Sequence, residues 1–235
     1  MPVVDLLAAM RPGVPQAVGR VAGGLQYRDF MTVGLLLRRL EKTASAIPGS
    51  PTNLVPDNWI YIQEPGVRVG RLQFFNNWSP YMVRDPNTVW VGMEYFCSEG
   101  DDLWTMPESA AVSLGIAELE KIGFAKPESL IDSVVIRVPK AYPGYYGSYK
   151  EFATIRSFTD TIANLFLVGR NGMHRYNNQD HSMLTAHYAV ESIVQGKTDK
   201  SAIWDVNIDD DYHEQDAAKT PQTAAAPAQG ERKAA

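Results

Sequence analysis

Apolar and polar positions along this chain follow two periods. Between residues 58 and 96, apolar and aromatic side chains recur at alternate places in three short runs, Asn58-Trp59-Ile60-Tyr61-Ile62, residues 70–75 and residues 88–96, each bounded by Gly, Pro or Asn. Alternation of this kind predicts antiparallel strands with one face buried. The aromatic and β-branched residues of 30–37 and the run 132–138 predict two further strands. Elsewhere the period is helical. Ala111, Val112, Leu114, Ile116, Leu119 and Ile122 line one side of a helix that Pro107-Glu108 opens and Gly123 closes. Residues 1–24 predict a helix with Leu6, Leu7 and Met10 on its apolar side, a proline-rich turn and a second short helix. Pro48, Gly49, Pro51 and Pro56 mark residues 41–57 as a loop.

The most informative stretch is 164–196. Leu165-Phe166-Leu167-Val168 is an uninterrupted apolar run, which predicts a buried strand. Gly169 then allows a sharp turn or a close backbone approach. After an Asn-rich turn, a helix is predicted to begin near Asn178 or Asp180. It carries Met183, Ala186, Tyr188, Ala189, Val190, Ile193 and Val194, and Gly196 ends it. A helix start presents free N–H groups and partial positive charge to an anion. An ordinary strand-to-helix junction would show the same periodicity, but Arg170, Arg175, Tyr176, Asn178, Asp180 and His181 all fall within the turn. Guanidinium forks and tyrosine hydroxyls suit phosphate oxygens, so the turn reads as a phosphate or diphosphate grip.

The segment Gly169-Arg170-Asn171-Gly172-Met173-His174-Arg175-Tyr176-Asn177-Asn178-Gln179-Asp180 resembles the C-terminal flavin-binding segment of UDP-galactopyranose mutases and related FAD-dependent, amine-oxidase-like oxidoreductases, which has the form G-R-x-G-x-Y-K-Y-x-D-M-D. Arg170, Gly172, Tyr176 and Asp180 match without a gap. His174 replaces an aromatic Tyr and Asn178 replaces the first Asp of that form, which favours a wider relative over a true mutase. The resemblance implies that FAD is contacted by Gly169, Arg170, Asn178, Asp180, His181 and Ser182. It also implies that Tyr142, in the Tyr142-Pro143 pair, binds a small-molecule substrate together with Arg170 and Tyr176. Met1-Pro2-Val3-Val4-Asp5-Leu6-Leu7 is similar to a segment that lies midway along family members.

No G-x-G-x-x-G stands between a strand and a helix here, whereas enzymes of this class carry that unit ahead of the corresponding point. The expectation is therefore an α+β fold: a mostly antiparallel substrate-type domain over 1–163 with flanking helices, then a flavin-contacting strand-turn-helix over 164–208. The reading is the C-terminal portion of an FAD-dependent oxidoreductase, active only if a separate polypeptide or a missed upstream region supplies the nucleotide-binding half. A remnant or binding module without flavin, and a fragment of a sugar-nucleotide mutase, are the alternatives. No catalytic residue is assigned.

Composition narrows this further. A net charge of −5 with no unbalanced basic stripe argues against a nucleic-acid partner. Cys97 is the single cysteine, so an internal disulfide is excluded and a reducing compartment fits. No apolar run approaches the ~20 residues of a membrane span, and no secretory signal is evident, so cytoplasm is the default location. Asp101-Asp102 reads as a solvated turn, and His174 and His187 lack partners at zinc-ligand spacing. Tyr27-Arg28 reads as a cation–π or surface pair. Trp78, Tyr81, Trp90 and Tyr95 read as core or sheet-face packing, Tyr142, Tyr145, Tyr146 and Tyr149 as an aromatic loop, and residues 203–207 as a last extended piece. Residues 209–235, acidic and then rich in Ala, Pro and Gln, are expected to be disordered.

Overall fold

A computed structural model describes residues 1–207; the acidic run and tail expected to be disordered lie outside them. The alternating runs form a five-stranded antiparallel sheet, made of β1 (Tyr27–Leu37), β2 (Trp59–Tyr61), β3 (Arg71–Phe74), β4 (Val89–Cys97) and β5 (Leu130–Pro143). Its order is β2-β3-β4-β1-β5. Period-two alternation sorts the side chains as the sequence implied. Met31, Val33 and Leu35 on β1, Leu72 and Phe74 on β3, and Val91, Met93 and Tyr95 on β4 turn inward and are buried. α4 (Glu108–Lys121) covers that face through Ala111, Gly115 and Leu119. Gly115 permits the approach, because a Cβ there would stand 3.2 Å from both Met93 Sδ and Val33 Cγ1.

A second core gathers the helices. α1 (Val3–Ala9) and α2 (Gln16–Gly23) pack with α5 (Ala153–Asp160), α7 (Gln179–Gln195) and α8 (Ser201–Trp204), burying Val3, Leu7, Val21, Ile155 and Trp204. The α+β class, with an antiparallel sheet and flanking helices, is thus observed. No described helix is long and apolar enough to cross a membrane.

Several local expectations change. Leu165-Phe166-Leu167-Val168 pairs with no strand among the described residues, although Val168 is extended and Leu167 is buried. The tyrosine-rich segment is more regular than its glycines and prolines suggested, since β5 continues through Pro143 by pairing with Tyr27 and Arg28. Phe75 leaves β3 for a single helical turn, α3 (Phe75–Trp78), and Asn76 ties that turn to Thr88 O and Trp90 N. Residues 201–204 are helical where 203–207 were expected to be extended, and Ile203, Trp204 and Val206 are buried. Tyr81 is fully exposed and Trp78 is 41% exposed, so neither is core. Tyr27 packs edge-on to His174 at 4.7 Å and makes no cation–π contact with Arg28. Asp102 pairs with Arg68, while Asp101 accepts the N–H groups of Ser98 and Trp104.

Under α4, the Glu118 carboxylate ties three segments. Buried Glu118 accepts the N–H of Arg68 at 2.6 Å, the N–H of Val69 at 3.0 Å and the Tyr95 hydroxyl at 3.0 Å. Burial, followed by the Glu118 charge, pushes the Tyr95 phenol well above its ordinary range. Glu118→Ala leaves buried donors unpaired, which costs about 3 kcal/mol. Urea denaturation should show that loss, with Glu118→Gln intermediate; an unchanged midpoint for Glu118→Ala would contradict this role.

Candidate functional site

The sheet face turned away from α4 carries the polar chemistry. In register across the five strands stand Tyr61, Arg71, Glu94, Thr32 and Ile136. The Glu94 carboxylate, 1% exposed, accepts Arg71 Nε at 2.8 Å and Nη2 at 2.5 Å on one oxygen and the Gln73 amide on the other. An ion pair this deep needs such geometry to offset the desolvation of both charges. Burial alone would lower the Arg71 pKa, but the Glu94 carboxylate outweighs it and keeps the guanidinium charged. Arg71 also reaches the Tyr61 hydroxyl at 3.3 Å and the Tyr142 hydroxyl at 3.2 Å, and lies against the Trp59 ring at 5.0 Å.

Tyr142 reaches this row because β5 is irregular. Phe30 pairs with Val138 and Arg28 with Tyr142, so β5 has extra residues opposite Asp29. Buried Asp29 stabilises that bulge by accepting the Lys140 N–H at 2.6 Å, and it accepts the Glu99 N–H at 2.6 Å as well. Lys140 adopts φ 53°, a left-handed conformation that the Asp29 contact helps to hold.

The turn predicted as an anion grip meets the end of β5. Gly169 turns the chain with φ 71°, a conformation that favours glycine, and donates its N–H to Thr185 Oγ1 at 3.0 Å. The helical turn α6 (Gly169–Gly172) then carries Arg170 over the rings of Tyr142 at 5.2 Å and Tyr176 at 4.2 Å. Those two rings stack at 5.6 Å and 10°. Arg170 Nε donates to Asn177 O at 2.9 Å and Nη1 to Ala141 O at 3.3 Å. The guanidinium is thereby fixed, with its Nη2 hydrogens engaged by no acceptor among the described residues.

Asn178 is the N-cap of α7, and His181 Nδ1 accepts the Asn178 N–H at 3.3 Å in a capping box. His181 therefore serves the helix start. Asp180 is exposed, and Ser182 lies beside Gly169. The N–H groups of Gln179 and Asp180 have no acceptor among the described residues, leaving the helix start open to an anion.

Two turn residues point elsewhere. Arg175 donates to Trp204 O at 2.6 Å and Val206 O at 3.0 Å, anchoring α8 instead of widening the grip. His174 is fully buried among Tyr27, Tyr149 and Phe152, with Nε2 3.1 Å from Gly144 O. Sequence reasoning placed Tyr142, Arg170 and Tyr176 together, as observed, but missed Trp59, Tyr61, Arg71, Gln73 and Glu94. The available signal was alternation: Arg71 and Gln73 interleave with Leu72 and Phe74, and Glu94 is the one charge within β4.

No family model matches the chain, and no curated protein does. The fold is similar to that in a crystal structure of reduced UDP-galactopyranose mutase, with a TM-score of 0.68 and 20% identity over 87% of this chain and 43% of that one. A crystal structure of an Exiguobacterium sp. 255-15 protein described as a protoporphyrinogen oxidase gives a TM-score of 0.46 and 13% identity, over 66% of this chain and 30% of that one. The first likeness is one of fold. The chain spans less than half the length of the mutase it matches.

Burial lowers the His174 pKa below its ordinary value against the opposing Gly144 carbonyl. When Nε2–H donates to that carbonyl, Nδ1 has no partner, which suits the neutral ring. The unfolded state therefore takes up a proton, at about pH 6.5, before the folded state does. This contribution is complete above the unfolded value and is lost as pH falls from there through the folded value. Stability should fall on acidification from pH 7.5 to 5.5, with a smaller loss for His174→Asn, whose side chain tolerates the φ of 47°. Identical pH profiles for the two proteins would refute the assignment.

Proposed function

We propose that this chain is the substrate-domain portion, with the last flavin-contacting segment, of an FAD-dependent oxidoreductase of the amine-oxidase type. The single observation that supports it best is the layered arrangement of Arg170 with Tyr142 and Tyr176, beside Gly169 and the open start of α7. The residues present fit an anionic cofactor. Arg170 is held by backbone carbonyls with its outer edge available, Gly169 turns the chain without a side chain, and the Gln179 and Asp180 N–H groups are unclaimed within the described chain.

Arg170 and the start of α7, including Asn178, Asp180, His181 and Ser182, would hold the FAD on this side. When bound, the flavin supplies the redox chemistry and the protein positions it. Tyr142 and Tyr176 offer flat aromatic walls for a small-molecule substrate. Arg71, fixed by Glu94, orients the Tyr142 hydroxyl and places a cation below it. The nucleotide-binding unit that completes the cofactor site lies, on this reading, outside these residues, in a separate polypeptide or in a region ahead of them.

A second reading, a sugar-nucleotide mutase, is favoured by the fold likeness to that enzyme. It would require that a UDP-sugar bind at the Arg170 site.

Flavin fluorescence titrated with the purified chain tests the proposal. Weak, saturable quenching of FAD is expected, and Arg170→Gln, which keeps a donor for the neighbouring carbonyls, should weaken it about tenfold, or ~1.4 kcal/mol. FAD unperturbed at millimolar concentration, or an Arg170→Gln protein that binds equally well, would overturn it. Quenching relieved by a UDP-sugar would favour the mutase reading.

A further inference from the structure

Where α5 and α8 meet, the helical core leaves a cavity of about 290 Å³. Three aromatic side chains line it, Tyr149, Phe152 and Trp204, together with three cations, Lys150, Arg156 and Arg175. No carboxylate is among the lining residues, although the chain as a whole carries a net charge of −5. The neighbouring acids are already engaged. Glu151 pairs with Arg20 at 2.6 Å, and Asp160 pairs with Arg156 at 3.5 Å while accepting the Trp204 indole N–H at 3.2 Å. Two of the cations are held in place. The Arg156 guanidinium lies over the Trp204 ring at 4.9 Å and keeps 42% of its side chain exposed. Arg175 spends Nη1 on Trp204 O and Val206 O, and its Nε and Nη2 hydrogens meet no acceptor among the described residues. Lys150 Nζ meets none either.

We infer that this cavity binds a small aromatic anion, a single planar ring carrying a carboxylate or a phosphate. Packing α8 against α5 explains the Arg175 Nη1 bonds and the cover over Trp204, but it does not require three like charges around one cavity. Their mutual repulsion is a cost that an anion removes, and the low-dielectric walls concentrate their field on it. Guanidinium groups pair with a carboxylate or phosphate through a planar fork, and they also stack on rings. Arg156 already stacks on Trp204, so a ligand ring beside Tyr149 and Phe152 meets aromatic walls and a cation together. Size limits the ligand. Pockets for drug-sized molecules begin near about 300 Å³, so one ring with one anionic group fits and a dinucleotide does not. Arg170, Tyr142 and Tyr176 take no part in the lining, so this site stands independently of the flavin reading.

The test follows the indole Nε1–H resonance of Trp204, assigned with Trp204→Phe, while phenyl phosphate, inorganic phosphate or phenol is added to the full chain. Phenyl phosphate should shift it saturably and bind about tenfold more tightly than either inorganic phosphate or phenol. Lys150→Gln, which disturbs no described contact, and Arg156→Gln should each weaken that binding about fivefold or more. Arg170→Gln should leave it unchanged, which separates this site from the candidate flavin contact. A Trp204 signal that stays in place would overturn the proposal, as would equal binding by inorganic phosphate, the mark of surface charge only. Equal binding by Lys150→Gln and Arg156→Gln would overturn it too. So would a shift seen only when Asp209→Asn, Asp210→Asn and Asp211→Asn are combined, which would give the cavity to the chain's own acidic run.

Discussion

The arrangement depends on how Arg170 is held. Its Nε bond to Asn177 O closes the turn on itself, and its Nη1 bond to Ala141 O fastens that turn to the end of β5. The first contact is local; the second joins the helical core to the sheet. With the Tyr176 N–H bond to the Tyr145 hydroxyl and the His174 contact to Gly144 O, it helps to set the stacking of Tyr142 on Tyr176. The carbonyl of Ala141 is available because the β5 bulge presents it, and Asp29 stabilises that bulge. A buried carboxylate on β1 thus helps to determine where a guanidinium far along the chain can point.

Much of this was legible in the sequence, for physical reasons. Strands with one buried face declare themselves by alternation, so β1 to β4 and α4 could be read directly. Arg170, Tyr176 and Tyr142 could be grouped through the resemblance, and the structure brings them together. What remained hidden depended on distant residues. Nothing local in 70–75 reveals that Arg71 will meet Glu94, because their pairing is created by the register of two strands. β5 runs through Pro143 since its partner, β1, begins at Tyr27. The apolar run 165–168 carried a strong strand signal and pairs with no strand among the described residues, which is a property of its surroundings. α5 went unread although it supplies Ile155 to the second core.

The two departures from the flavin-segment pattern acquire a structural explanation. His174 stands where an aromatic residue was expected, and it is packed as a ring among Tyr27, Tyr149 and Phe152. Asn178 stands where an acid was expected and serves as the N-cap, a position at which Asn and Asp are nearly equivalent. In this chain His174 takes no part in the hydrogen bonds that hold Arg170, and Asn178 starts α7. Arg175 and Arg170, alike in sequence, separate into an anchor for α8 and the candidate anion ligand.

The central claim is that Arg170 is a preorganised anion ligand, and the Nε–H resonance of its side chain reports on it most directly. Protected by its bond to Asn177 O, that proton should be visible by nitrogen-edited NMR near neutral pH. Inorganic pyrophosphate, and then FAD, should shift it saturably, together with the amides of Gln179 and Asp180. A resonance that stays in place while either ligand is added to saturation elsewhere, or that never responds, would contradict the account.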